Sequence, residues 1–327
     1  MTRFVRLVAI IAVVAFAPMT AFAMFETRVE VQSFSVPDGA HPHDVAPAPA
    51  GSVWYTAQHQ EALGPLDPKT GDTKHIHLGD GSRPHGVIVG PAGHAWVTDS
   101  GLNAIVPVDA GSEAVDVFRL PADSGYANLN TAAFDAKGIL WFTGQSGVYG
   151  RVDPASGEVT VYRAERGRGP YGISATRDGR IFYASLAGSH IAEINTATGE
   201  ATIIEPPTPS QGARRVWPDS KGRVWASEWN TGQLSMFTPR TGEWRTWQLP
   251  GDRPKTYAVY VDEDDKIGMS DFGANAVLRF DPTSERFETY KSPRGGARVR
   301  QLLGRKGEVW APGSGTDTLV VYRFGDK

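Results

Sequence analysis

An aromatic residue recurs at near-constant spacing along this 327-residue chain, and that recurrence limits the folds open to it. Trp54, Trp96, Trp141, Phe182, Trp225 and Trp310 fall on it, with Gly268 in the sixth place, at intervals of 42, 45, 41, 43, 43 and 42 residues. Turns such as Pro91-Ala92-Gly93 and Asp219-Ser220-Lys221-Gly222 come just before it. A second turn follows later in the unit, as in Asp67-Pro68-Lys69-Thr70-Gly71 or Thr238-Pro239-Arg240-Thr241-Gly242. Pro presets φ and Gly accepts the left-handed position, so these read as hairpin turns between short strands. No segment carries sustained helical periodicity. Four short strands per repeat of about 42 residues is the pattern of a propeller blade. The sequence therefore predicts an all-β fold, a seven-bladed β-propeller, with residues 24–327 as its single domain.

The seventh unit, Arg298 to Lys327, ends after its third strand, while a strand is left over at the other end, Arg28 to Val36. The expectation is that this N-terminal strand completes the last blade and closes the ring, which removes an exposed edge. Ahead of it, Arg3 and Arg6, the apolar run Leu7 to Phe16 and the small-x-small site Ala21-Phe22-Ala23 form an export signal over residues 1–23. The apolar run is short for a membrane span of about 20 residues. A periplasmic or secreted monomer follows, with no membrane span after cleavage. A net charge of −3 argues against a nucleic-acid partner, and the absence of cysteine excludes disulfides and thiolate chemistry.

In a propeller the loops at the start of each innermost strand converge on one mouth of the central channel, so a small-molecule substrate is expected there. Eleven residues before the repeated aromatic stand His43, His85, Asn130, Tyr171, Arg214, Tyr257 and Val299. Their neighbours include His41, Asp44, Arg83, Arg215 and Arg300, and the arginines make the mouth electropositive, suited to an anionic or carbonyl-bearing ligand. Three residues after the aromatic, Asp99, Glu228 and Asp271 bring carboxylates to the same side. Two Pro-His pairs, Pro42-His43 and Pro84-His85, lie one repeat apart. Paired imidazoles with a carboxylate, Asp99, suit acid–base work near neutral pH or a divalent metal. His41, Arg83, Asn130, Tyr171, Arg214, Tyr257 and Arg300 are expected to contact substrate. His59, His75, His77, His94 and His190 fall in loops or outer strands and are expected to be exposed.

At these residues the sequence resembles the streptogramin lyases, the virginiamycin B lyase-like proteins. Arg83-Pro84-His85-Gly86-Val87 with Ala95-Trp96-Val97-Thr98-Asp99 carries the likeness, as do Gly169-Pro170-Tyr171-Gly172-Ile173, Val224 to Asn230 and Ser270 to Asn275. The resemblance implies a seven-bladed propeller and a carbon–oxygen lyase that opens an ester by elimination, with Mg²⁺. By spacing it assigns His43 to substrate contact, His85 to the general base and Asp99 to the metal. Two residues before the base the family has Glu where this chain has Arg83, and a cation there opposes Mg²⁺. Arg83, Arg214 or Arg300 is then the expected electrophile in place of the metal. A non-catalytic binding propeller and a metal-dependent lactone hydrolase are the alternative expectations.

Overall fold

The computed structural model describes residues 29–49 and 51–325; the expected export signal lies outside them. Seven four-stranded antiparallel sheets form the blades of a ring. The inner strands of the first six blades are Pro42–Pro47, Pro84–Val89, Leu129–Phe134, Pro170–Ala175, Ala213–Pro218 and Thr256–Val261. That of the seventh is Leu303–Arg305. Among the described residues no helix is long and apolar enough to cross a membrane.

Closure occurs as the leftover strand implies. Val29–Ser35 pairs antiparallel with Thr318–Phe324 as the outermost strand of blade seven. Its Phe34 stacks on Trp310 at 5.7 Å, inside the apolar cluster that joins blade seven to Val45, Val53 and Tyr55 of blade one. The aromatic series is core: Trp141, Trp225 and Trp310 are fully buried, and Asp135, Asp219 and Glu308 respectively accept their indole N–H at 2.9–3.0 Å.

A hydroxyl two residues after the aromatic stitches neighbouring blades together. In blade one Thr56 Oγ1 accepts the Asp44 amide at 3.0 Å and donates to the His85 carbonyl of blade two at 3.0 Å. Thr98 repeats this between Gly86 and Asn130, and Ser227 between Arg215 and Tyr257. Each of the first six inner strands bulges at this level, as between Pro42 and Val45. A bulge re-aims side chains out of the regular pleat. Here it falls at the residues that the sequence places on the channel.

Blade seven departs from the common spacing. Seven residues separate the paired Ala46 and Trp54 of blade one, but only six separate Leu303 and Trp310. The inner strand is therefore offset by one residue, and Val299 bridges Gly313 where Pro42 pairs with Ala57. Arg300, not Val299, is the blade-seven counterpart of His43. With this correction every position of the ring is hydrogen-bond capable.

Candidate functional site

The tertiary fold brings His43, His85, Asn130, Tyr171, Arg214, Tyr257 and Arg300 to one level of the channel. His43 and His85, from adjacent blades, have ring centroids 3.8 Å apart. Both are buried, at 3% and 6% exposure. His43 Nδ1 lies 2.8 Å from Asp44 Oδ1, and His85 Nδ1 lies 3.0 Å from the Asn130 carbonyl. An acceptor on each Nδ1 places the proton there and leaves the Nε2 lone pair as the basic atom. The Asn130 amide nitrogen lies 3.4 Å from His85 Nε2. Burial lowers the affinity of both imidazoles for a proton, reinforced by Arg300 and Arg215 at His43 and by His43 at His85. They stand as neutral bases.

Next along each inner strand lies a second tier, and its contacts were not legible in sequence. Arg215 donates to Asp44 Oδ1 at 3.1 Å and to Thr131 Oγ1 at 2.7 Å, crossing the channel from blade five to blades one and three. Both charges are about 95% buried or more. This belt orients His43 through Asp44. Beyond it the channel holds a cavity of about 220 Å³ with mainly apolar walls, including Phe134, Ile173 and Trp217.

Across the channel from the histidines, Tyr171 and Tyr257 share a short hydroxyl–hydroxyl hydrogen bond. Arg214 donates to Tyr171 Oη at 3.0 Å, and its guanidinium lies 3.5 Å from the Tyr257 ring centre and 4.5 Å from that of Trp229. Arg300 donates to Ser314 at 3.1 Å. Nearer solvent, His41 is half-buried and stacks on His59 at 4.1 Å; burial, then His59 and Arg300, bring its pKa down to about 4. Arg83 is exposed and lines a surface hollow with His59 and Tyr126.

Two expectations are corrected. Asp99 does not face the channel chemistry. Its carboxylate accepts the Ser82 hydroxyl and the amides of Arg83, Gly101 and Leu102, the amides at 2.9 Å. Asp271 clamps Lys255 and Gly273 in the same way, so the carboxylate three residues after the aromatic is a loop clamp of the fold. Of the histidines expected to be exposed, His59 and His77 are, His75 and His94 are half-buried, and His190 is buried, with Nδ1 3.1 Å from the Gly188 carbonyl.

The donor set does not fit Mg²⁺. A hard divalent ion needs several free oxygen ligands. Asp99 is saturated by its loop, Asp44 is taken by Arg215 and His43, and Arg83 replaces the remaining carboxylate. His43, Asp44 and His85 do have potential ligand atoms within 4.8 Å of one another, but Arg215 occupies the one carboxylate among them.

Comparison with solved structures gives the same ring. A streptogramin B lyase superposes with a TM-score of 0.83 at 19% identity, covering 91% of this chain and 98% of that one. Virginiamycin B lyase from Staphylococcus aureus gives 0.83 at 16% identity over 90% and 99%. An extracellular domain of a hybrid two-component system from B. thetaiotaomicron gives 0.70 at 15% identity, covering 92% of this chain and 43% of that one. At these identities the likeness shows the fold alone. A search of curated protein sequences returns no match. The sequence model of the virginiamycin B lyase family matches residues 15–280, and this chain belongs to that family.

Proposed function

We propose that the channel mouth binds an anionic small molecule containing an ester or lactone and eliminates across its C–O bond without a metal. The observation that carries this reading is the pair of neutral imidazoles, 3.8 Å apart, whose Nδ1 atoms are each tied to an acceptor. In the step, a substrate Cα–H bond breaks and its proton passes to an imidazole Nε2. The electron pair forms a C=C bond, and the C–O bond breaks with its pair leaving on the carboxylate. Arg214 and Arg300 are the donors for the developing enolate charge. His85 is the base by family spacing. The Asp44 carboxylate on His43 Nδ1 makes His43 an equally competent one. Residues 1–23 are read as an export signal, which would put this chemistry outside the cytoplasm.

Purified protein incubated with quinupristin, the ligand of an inactive S. aureus relative, and with simple lactones tests the reading by mass and near-ultraviolet absorbance. Elimination gives an isomer of unchanged mass with a new C=C bond, and His85→Ala and His43→Ala should each lower its rate by about 10²-fold or more. A product heavier by one water would make the protein a hydrolase. Saturable binding without product would favour a non-catalytic binding propeller, a reading supported by the near-complete burial of both imidazoles.

A further inference from the structure

We infer that Tyr171 stands in the channel as a phenolate, paired with Arg214, and is a resident base of the site. Arg214 is largely buried and forms no ion pair among the described residues, whereas its neighbour Arg215 has Asp44. Its Nε is buried without a partner, and its recorded polar contact is the Tyr171 hydroxyl at 3.0 Å. A buried guanidinium without a counter-ion is costly, and buried charges are found paired. Three aromatic faces surround it, Tyr171, Trp229 and Tyr257, with ring centres 3.5–4.7 Å away. The acidic atoms within reach are the two phenols.

The local geometry assigns the charge between them. Tyr171 Oη accepts the Arg214 N–H and is hydrogen-bonded to the Tyr257 hydroxyl, and Arg215 lies 5.8 Å from its ring centre. His85 meets its edge at 6.5 Å, and Arg300 lies 5.9 Å from the ring centre of Tyr257. Asp44, the nearby carboxylate, is already spent on Arg215. Burial pushes the Tyr171 phenol up, but Arg214, Arg215 and the two hydrogen bonds outweigh it and bring it below the ordinary tyrosine range. Burial, with Tyr171 beside it, pushes Tyr257 up, so Tyr257 keeps its proton and donates.

The ionisation is independent of the elimination reading; use of the phenolate as the base rests on it. In that use Tyr171 Oη takes the Cα proton and becomes the phenol, in place of an imidazole, and the electrons move as above.

Near-ultraviolet difference spectra of the full protein between pH 6 and 11 read the ionisation directly, with no ligand needed. Unperturbed tyrosines ionise near about pH 10. Of the ten tyrosines, one should carry its phenolate band below all the others, already developed at neutral pH. The band should vanish in Tyr171→Phe, and Arg214→Gln should move it upward, which keeps the test sound if one variant does not fold. A single transition near pH 10, or a low-pH band that survives Tyr171→Phe, would overturn the inference and would mean that Arg214 is neutralised by an exogenous anion or not at all. If turnover is also found, loss of the band with turnover retained in Tyr171→Phe would remove the phenolate as base and leave the lyase reading standing.

Discussion

The two ends of the channel treat charge in opposite ways. Around the mouth, Arg83, Arg214, Lys255, Arg298 and Arg300 form no ion pair among the described residues. At the other end, where the first and second strands turn, four arginines are matched: Arg180 with Glu193 at 2.7 Å, Arg223 with Asp219 at 2.6 Å, Arg279 with Asp262 at 2.6 Å and Arg305 with Glu308 at 2.7 Å. Charges that serve the fold are neutralised within it. The mouth keeps an excess that an ionised Tyr171 or an incoming anion would offset. The carboxylates on the mouth side do not relieve it, because Asp99 and Asp271 are committed to backbone amides. Between the two ends, the Asp44–Arg215 pair divides the polar channel from the apolar cavity beyond.

That contrast can be broken at three points. The largest effect should come from the belt. Arg215→Met strands a buried Asp44 and should cost roughly 3–5 kcal/mol in denaturant unfolding, with part recovered in Asp44→Asn/Arg215→Met. An undiminished midpoint would show that the belt does not hold the blades. The second effect is in pH. His43 and His85 are held neutral in the fold, below the ordinary value of 6.5, so the unfolded chain binds protons first as pH falls. Stability contributed by these two groups is full above pH 6.5 and is lost below it. Each histidine adds a slope of about 1.4 kcal/mol per pH unit while it is protonated only in the unfolded chain. Melting curves of wild type against His43→Gln and His85→Gln between pH 5 and 7 should show the variants with shallower dependence. Equal slopes would mean that the imidazoles are charged in the fold. The smallest effect belongs to the mouth: Arg298→Gln should change stability by no more than about 0.5 kcal/mol, because it removes no ion pair. A loss comparable to that of Arg215→Met would erase the distinction between mouth and belt.

Much of the fold was legible because its signals are local and repeated. The aromatic spacing counts the blades. The unpaired strand Arg28 to Val36 and the truncated seventh unit require each other. The hydroxyl stitch was also on the surface of the sequence, two residues after the aromatic at Thr56, Thr98, Thr143 and Ser227, but its meaning depends on the bulged strand of the next blade. Of the candidate site, Tyr171, Arg214 and Tyr257 were found by position alone. Asp99 was misread because a carboxylate at a strand end looks the same in sequence whether it faces a ligand or four loop donors.

The sequence by itself determined the number of blades, the closing strand and the mouth at which polar side chains gather, since each depends on spacing along the chain. Only the tertiary structure decided which of those side chains meet. Arg215 and Asp44 are 171 positions apart and Tyr171 and Tyr257 are 86 apart, and no local rule pairs them. A one-residue deficit in the blade-seven hairpin replaced Val299 by Arg300 in the ring. A ring closed on itself sets contacts across its axis by geometry in space, whereas a repeat in sequence sets only the angle at which each blade enters it.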